Sequence, residues 1–253
     1  MVKMRLIIDG ERDGAFNMAL DEAMLILRSV NAIPNTLRLY IFKPSTVTIG
    51  YFQSLSEVVN LDYVKNNHIP VIRRPTGGGA VYHDEFGEIT YSVVISEELV
   101  PKDFEESFRV ITEGVVRAIK YLGAPAEFKP LNDVVINGKK VSGQAQLRRL
   151  GTVLQHGTLM YATNLDILCN ALTPPKDKLR SKGIASIRER VTTLSEYLGR
   201  KVSREEVINA MIKGFSEALN AEFIKATLTE VEITLAKSLR WKYLSSDWNY
   251  LRP

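Results

Sequence analysis

The chain has 253 residues, 45% of them hydrophobic and 25% charged, with a formal net charge of +4. This composition is typical of a globular protein and excludes a disordered, collagenous or disulfide-stapled chain. The single cysteine, Cys169, fits a reducing cytoplasm. No apolar run reaches the length of a membrane span. The net positive charge is too small to require a nucleic-acid partner.

One helix and several short strands are predicted for the first hundred residues. Apolar residues recur at helical spacing from Phe16 to Leu27 and predict an amphipathic helix. Six β-rich runs predict strands at Leu6–Ile8, Leu37–Phe42, Val47–Tyr51, Val71–Arg74, Ala80–His83 and Ile89–Ile95. We expect the second and third runs to pair as a hairpin around Pro44, and the last two to pair around residues 84–87.

The remainder of the chain alternates helices with one clear hairpin. Asp103, with Glu106 three residues later, begins an apolar stripe that predicts a helix ending at Gly123. Asn137–Gly138 is a strong hairpin signal between two β-rich runs. The further predicted elements are strands at Val134–Ile136, Lys139–Ala145 and Val153–Tyr161 and helices at Leu165–Leu172, Val207–Leu219 and Val231–Leu239. Hairpins interleaved with helices predict an α+β fold rather than a parallel, doubly wound sheet.

A glycine loop is the first candidate for a functional site. It lies in the segment Arg73-Arg74-Pro75-Thr76-Gly77-Gly78-Gly79-Ala80-Val81-Tyr82-His83-Asp84. Three consecutive glycines leave backbone N–H groups unshielded, so the turn could enclose an anion such as a phosphate, with two arginines adding charge. The spacing matches neither a Rossmann fingerprint nor a P-loop. The alternative is a flexible loop with two solvated arginines.

The Asn137–Gly138 hairpin is the second candidate. A two-residue turn would place Asp133 opposite Ser142 and Val135 opposite Lys140. Because side chains alternate, Lys140, Ser142, Gln144 and Asp133 would then share one face of the sheet. A lysine there could contact both a phosphate and a carbonyl oxygen on which negative charge develops. The alternative is a half-exposed hairpin with solvated lysines.

The histidines and the cysteine are weaker candidates. His68, His83 and His156 have no zinc-ligand spacing, although His83-Asp84 could orient a ligand or help to hold Mg²⁺. Cys169 lies on an apolar helix stripe, which favours a small core residue over a nucleophile. A Gly-x-Ser-x-Gly motif is absent from the sequence, so it has no hydrolase nucleophile elbow.

Taken together, these segments resemble the lipoate–protein ligase A family of the lipoyl/biotin ligase-like superfamily. The resemblance covers nearly the whole chain, with its motifs in the family's order. They are Arg73-Arg74-x-x-Gly77-Gly78-Gly79-Ala80-Val81-Tyr82-His83-Asp84, Asn132-Asp133, Lys140-Val141-Ser142-Gly143 and His156-Gly157-Thr158-Leu159. Supporting matches are Phe16-Asn17-Met18-Ala19-Leu20-Asp21-Glu22, Gly183-Ile184-x-Ser186-Ile187-Arg188-x-Arg190-Val191 and Trp248-Asn249.

The resemblance implies a cytoplasmic, ATP-dependent ligase with a mixed, largely antiparallel sheet packed by helices. Such an enzyme activates lipoate as lipoyl-AMP with ATP and Mg²⁺, then transfers the lipoyl group to a lysine of a lipoyl domain. The acceptors implied are the E2 subunits of 2-oxoacid dehydrogenases and the H protein of glycine cleavage. By residue-by-residue match, Lys140 is the catalytic residue and Asp133 a magnesium ligand. The implied ATP and lipoyl-AMP contacts are Arg73, Arg74, Gly77, Gly78, Gly79, Ala80, Val81, Tyr82, His83, Asn132, Asp133, Lys140, Ser142, Gly143 and His156.

Two departures from the family pattern leave alternatives open. Longer members carry a further domain after the Trp-Asn element, whereas Trp248-Asn249 is followed here by only four residues. We therefore expect residues 1–253 to form a single catalytic domain, assisted by a separate accessory subunit. The alternative is an ATP-independent octanoyl or lipoyl transferase that takes its acyl group from acyl carrier protein, through a cysteine thioester or directly. One transferase class places its cysteine just before the segment matching Asn132-Asp133, but residues 124–131 contain none. A third reading is a non-catalytic module that binds lipoyl-AMP.

Overall fold

Two β-sheets and the helices packed on them form the fold, seen in a computed structural model that describes residues 1–173 and 187–252. The strands are β1 (Val2–Arg12), β2 (Thr36–Phe42), β3 (Thr46–Ile49), β4 (Val71–Arg73), β5 (Val81–His83), β6 (Glu88–Ser96), β7 (Ala126–Lys129), β8 (Asp133–Ile136), β9 (Lys139–Arg149), β10 (Thr152–Met160) and β11 (Ala221–Lys225). The helices are α1 (Gly14–Ser29), α2 (Leu55–Val58), α3 (Leu61–Asn66), α4 (Phe104–Tyr121), α5 (Leu165–Ala171), α6 (Leu194–Leu198), α7 (Arg204–Ala218), α8 (Glu230–Leu244) and α9 (Ser246–Asn249).

The large sheet is mixed and mostly antiparallel, which confirms the predicted α+β class. Its eight strands follow the order β11-β1-β2-β6-β10-β9-β8-β7, and β1 runs parallel to both of its neighbours. The small sheet has the order β4-β3-β5. In the described ranges no helix is long and apolar enough to cross a membrane.

The two hairpins predicted in the first hundred residues are wrong, although their strands exist. β2 lies between β1 and β6, so both of its edges are already paired and β3 cannot join it. β3 instead pairs with β4 and β5 in the small sheet. For the same reason β5 does not pair with β6, whose two edges are taken by β2 and β10. The chain therefore crosses between the two sheets twice, once after β2 and once after β5.

Helices cover both faces of the large sheet, as their apolar stripes require. Ile111 and Val115 of α4 pack with Met211 and Phe215 of α7 over one face. On the other face α1 packs with α8 over Tyr40, Phe42 and neighbouring strand residues. The small sheet packs on α2, α3 and α5. Side-chain caps begin the longer helices: Asp103 for α4, and full capping boxes at Ser203 for α7 and Thr229 for α8.

Candidate active site

A cavity that opens to solvent lies where the small sheet meets the face of the large sheet covered by α1. Both candidate segments reach it. The predicted site residues that line it are Arg74, Gly79, Ala80, Val81, His83, Asn132, Lys140, Gly143 and His156. Met18, Tyr40 and Phe42 contribute apolar surface to the same wall.

Lys140 stands at the exposed rim of this cavity. Its Nζ lies 2.6 Å from Oδ1 of Asp133, and both side chains are about one-third exposed (37% and 34%). Gly143 makes room for the lysine, because a Cβ at residue 143 would lie 2.7 Å from Nζ and 2.8 Å from Cε. Glycine at residue 143 is therefore part of what allows the lysine to reach the cavity.

The predicted pairing of Asp133 with Ser142 is wrong. The Asn137–Gly138 turn forms as expected, with positive φ at both residues (49° and 78°), and Val135 pairs with Lys140. The register then shifts, so that Asp133 pairs with Gly143 instead. One extra residue in β9 forms a bulge and reverses the alternation of side chains beyond it.

The bulge also overturns the predicted polar face. Gly143 and Ala145 accompany Lys140 at the cavity, while Ser142 is fully buried. Its Oγ accepts a hydrogen bond from Nε2 of Gln144, and Oε1 of Gln144 accepts one from the Tyr91 hydroxyl. Ser142 therefore stabilises the sheet beneath the site, and its side chain faces away from Lys140.

Arg74 forms the buried wall of the cavity under the glycine loop. Its Nη2 donates to the carbonyl oxygens of Gly77 (2.6 Å) and Gly79 (2.7 Å). Burial lowers the pKa of Arg74 to about 10, so the guanidinium stays charged at neutral pH. In the described ranges it forms no ion pair with a carboxylate, and this leaves its positive charge available to polarise a bound group.

The glycine loop keeps its backbone N–H groups free. Its carbonyl groups turn towards Arg74, whereas the N–H groups of residues 77–79 find no acceptor in the part of the chain that the structure describes. Gly78 requires glycine for two reasons: its φ is +89°, and a Cβ there would lie 2.9 Å from Nη2 of Arg74. Gly77 and Gly78 thus shape the loop, and Gly79 lines the cavity.

Arg73 lies on the other side of β4 and does not line the cavity. Its fully buried guanidinium donates to the carbonyl oxygens of Gly50, Tyr51, Gln53, Trp248, Asn249 and Arg252. The side chain of Asn249 in turn accepts from the N–H group of Arg73 (2.7 Å). Arg73 therefore ties the Trp248-Asn249 element to the glycine loop.

Three other predicted residues lie in structural networks close to the cavity. Asn132 donates through Nδ2 to the carbonyl oxygen of Gln144 (2.6 Å) and anchors the start of β8. Tyr82 is buried in the small sheet, where burial raises its pKa to about 12. His83 stacks on Phe42 with ring centroids 3.9 Å apart. Each supports the wall of the cavity, and Asn132 and His83 also line it.

Two carboxylates, Asp21 and Glu88, were missed by the sequence reasoning. Asp21 is fully buried on α1, and its Oδ2 lies 2.9 Å from Nδ1 of His156. Oε1 of Glu88 lies 2.7 Å from Nδ1 of His83. The sequence does carry a signal for Asp21, because this residue lies on the apolar stripe of its helix. A carboxylate buried there requires a hydrogen-bond donor or a positive charge beside it.

The segment after the undescribed residues packs beside Lys140. The N–H group of Thr192 donates to the carbonyl oxygen of Lys140 (2.9 Å), and Val191 forms a parallel bridge with Lys140. Residues 183–186 of the supporting motif lie outside the described residues.

Cys169 lies on α5, against the apolar cluster of the small sheet, and is not among the residues that line the cavity. Burial raises the pKa of its thiol, which disfavours the nucleophilic thiolate. Its placement therefore agrees with a packing residue.

The part of the chain that the structure describes contains no cluster of three or more His, Cys, Asp or Glu residues that could hold a metal ion. The carboxylate of Asp133, predicted as a magnesium ligand, is occupied by Lys140. At the predicted magnesium site, the carboxylate of Asp133 already forms an ion pair with the ammonium group of Lys140.

The chain belongs to the family of the lipoyl protein ligase A/B catalytic domain, whose model matches residues 13–216. It is an enzyme of the lipoate ligase and transferase family, which confirms the predicted family.

Relatives and solved structures match the chain over nearly its full length. It is 38% identical to the octanoyltransferase LipM of Kyrpidia tusciae over 99% of both chains. The structure of a bi-partite lipoate protein ligase from Thermoplasma acidophilum is 41% identical, with a TM-score of 0.85 over 98% of this chain and 96% of that one. A lipoate-protein ligase A bound with ATP is 36% identical, with a TM-score of 0.84 over 98% of both chains. These structures confirm the fold.

The predicted reaction, ATP-dependent ligation through lipoyl-AMP, is wrong. Curated relatives that match over their whole length at 33–38% identity are octanoyltransferases. ATP, Mg²⁺ and a separate accessory subunit, all predicted with that reaction, find no support in these relatives. Their name favours the alternative, acyl transfer without ATP.

Proposed function

We propose that this enzyme transfers an octanoyl group from a thioester of acyl carrier protein to a lysine of a lipoyl domain, without ATP. The acceptors we propose are lipoyl domains of 2-oxoacid dehydrogenase E2 subunits and the glycine cleavage H protein, in the cytoplasm. The name of the relatives, octanoyltransferase, supports transfer of an octanoyl group. The single observation that carries the proposal for this chain is Lys140 at the rim of a cavity with an apolar wall.

The lining of the cavity offers apolar surface to an acyl chain. Met18, Tyr40 and Phe42 offer an apolar wall for the hydrocarbon, whose burial contributes about 0.8 kcal/mol per CH₂ group. The reacting carbonyl would then lie near the rim, between Lys140 and Gly79. There the Lys140 ammonium and the free N–H groups of the loop can stabilise the negative charge that develops on the carbonyl oxygen.

The bond changes balance without a further reactant. The amine of the acceptor lysine attacks the thioester carbonyl, a C–N bond forms and the C–S bond breaks. The departing thiolate takes the proton that the amine loses. The described residues thus supply positioning and charge stabilisation, which are the main requirements of direct transfer between two bound partners.

A donor comparison tests the proposal. Octanoyl–acyl carrier protein and an apo lipoyl domain are incubated with the enzyme in EDTA without ATP, and the acceptor is followed by intact mass. We expect one octanoyl group on the acceptor, and none when its target lysine is replaced by arginine. A parallel reaction contains free octanoate or lipoate with ATP and Mg²⁺. Modification of the acceptor in that reaction alone would contradict the proposal.

Cys169 is expected to be dispensable. Because its thiol lies away from the cavity and its pKa is raised, Cys169→Ser should keep the transfer rate within about twofold of the parent, as a peripheral substitution does. Initial rates with octanoyl–acyl carrier protein measure this. A loss of activity, together with an octanoyl adduct on the parent enzyme that disappears in the variant, would instead identify Cys169 as an acyl carrier.

A further inference from the structure

Two buried chains of hydrogen bonds converge on Arg74. We propose that Asp21–His156–Thr76 and Glu88–His83–Thr48 are positioning relays: they lock the Arg74 guanidinium, and through it the carbonyl groups of the glycine loop. The loop N–H groups are thereby held free for a negatively charged oxygen of the substrate. The effects on kcat rest on the proposed acyl transfer, whereas the positions of the histidine protons do not.

The first relay begins at Asp21 on α1. Four side chains hydrogen-bond its carboxylate: Arg38 (3.1 Å), Tyr40 (2.9 Å), Ser92 (2.9 Å) and His156 (2.9 Å). On the other side of the imidazole ring, Nε2 of His156 lies 2.7 Å from Oγ1 of Thr76.

The second relay has the same order of groups on the opposite side of Arg74. Oε1 of Glu88 lies 2.7 Å from Nδ1 of His83 and accepts from the hydroxyl of Thr90 (2.9 Å). Nε2 of His83 lies 2.9 Å from Oγ1 of Thr48. Oε2 of Glu88 is buried and has no hydrogen-bond partner in the described ranges, so this relay is the less firmly anchored of the two.

Both relays end on Arg74, which donates to the hydroxyl groups of both threonines. Nε of Arg74 donates to Oγ1 of Thr76 (3.1 Å), and Nη1 donates to Oγ1 (3.3 Å) and the carbonyl oxygen (3.4 Å) of Thr48. The carboxylates of Asp21 and Glu88 can only accept, so they hold the proton of a neutral imidazole on Nδ1, and each threonine hydroxyl donates to the unprotonated Nε2. Each histidine therefore carries its proton on Nδ1, facing a carboxylate.

The same contacts use all the N–H groups of Arg74. Nε bonds Thr76, Nη1 bonds Thr48, and Nη2 bonds the carbonyl oxygens of Gly77 and Gly79. Arg74 thus has no N–H left for a substrate and acts as a charged scaffold. A tilt of the guanidinium would release the two glycine carbonyl groups and alter the shape of the loop.

The surroundings of His156 favour this neutral form. The charged or titratable groups facing it are Asp21 from α1, Arg74 from the loop after β4 and His83 from β5; Arg38 and Tyr40 from β2 contact the same Asp21 carboxylate. Burial lowers the pKa of His156, and the hydrogen bond with Asp21 offsets only part of that shift. The positive charge at this wall of the cavity accordingly stays on Arg74.

The first test observes the histidine tautomers by long-range ¹H–¹⁵N NMR of the uniformly labelled chain. The sequence has three histidines, and the exposed His68 serves as an internal control. At pH 7.5 we expect His156 and His83 to be protonated on Nδ1 only. The variants H68N and H83Q assign the signals. A proton on Nε2 of either histidine, or on both nitrogens, would overturn the relay to which it belongs, whatever reaction the enzyme performs.

The second test separates positioning from packing with matched threonine variants. Thr76→Val keeps the shape but removes the hydroxyl, and we expect a loss of about 10- to 100-fold in kcat with a smaller change in KM. Thr76→Ser restores the hydroxyl and should return kcat to within about threefold of the parent, as a retained hydrogen bond implies. The pair Thr48→Val and Thr48→Ser should follow the same order with a smaller loss. Equal rates for the valine and serine variants at residue 76 would overturn the positioning role. A parent enzyme that is inactive without ATP would instead contradict the proposed acyl transfer.

Discussion

Lys140→Ala is expected to lower kcat for octanoyl transfer by about 100- to 1,000-fold, the usual effect of removing one group that stabilises a developing oxyanion. Lys140 lies at the rim of the cavity, and the absence of a side chain at Gly143 leaves space for the lysine side chain. Its ion pair with Asp133 is one-third exposed, so the fold should lose little stability. Initial rates with saturating octanoyl–acyl carrier protein, together with a thermal melt, measure both effects.

Lys139→Ala is the matched control. Lys139 is exposed at the neighbouring position of the same hairpin, on the other side of the strand from Lys140. Because it lines no part of the cavity, its removal should leave kcat within about twofold of the parent, as for most surface substitutions. Equal losses in the two variants would show that the net charge of the hairpin matters and that the position of Lys140 does not.

Gly214→Ala is expected to destabilise the protein by about 2–3 kcal/mol. Gly214 lies where α7 crosses α4, and a Cβ there would overlap the carbonyl oxygen of Gly114 and lie 2.8 Å from the backbone nitrogen of Ala118. Backbone atoms cannot rotate away as a side chain can, so the helices must separate. The expected fall in Tm is about 5–10 °C for a protein of this size.

Asn209→Ala provides the comparison for that measurement. It introduces the same residue type on the exposed side of α7 and should change the free energy of unfolding by no more than about 0.5 kcal/mol. If Gly214→Ala melted with the parent, the close approach of the two helices would not contribute to stability.

The sequence predicts individual elements of this fold better than their partners. The apolar stripe of α4 and the Asn137–Gly138 turn depend on residues close together in the chain, and both form as expected. Whether β2 pairs with β3 depends on which strands already occupy its edges. β6 occupies one of those edges and lies some fifty residues further along, so local pattern could not show this.

The site was predictable to a similar extent. Lys140, Arg74 and Gly79 carry chemistry that motif spacing can identify, and all three line the cavity. The bulge before Ser142 changes the register by one residue, and no residue type in β9 signals it. The pairing of Asp21 with His156 joins residues 135 positions apart, so only the fold brings them together.

Arg73, the last residue of β4, and Arg74, which follows it, make separate sets of contacts. Arg73 holds the carbonyl oxygens of Trp248 and Asn249, residues 175 and 176 positions away, while Arg74 holds the glycine loop. Two hydrogen bonds join Arg73 to Asn249, one to its side chain and one to its backbone, so a change at one residue alters what the other can tolerate. During divergence within the family, positions 73 and 249 should therefore show epistasis and change together. A segment that lines no part of the cavity thus shares its evolutionary constraint.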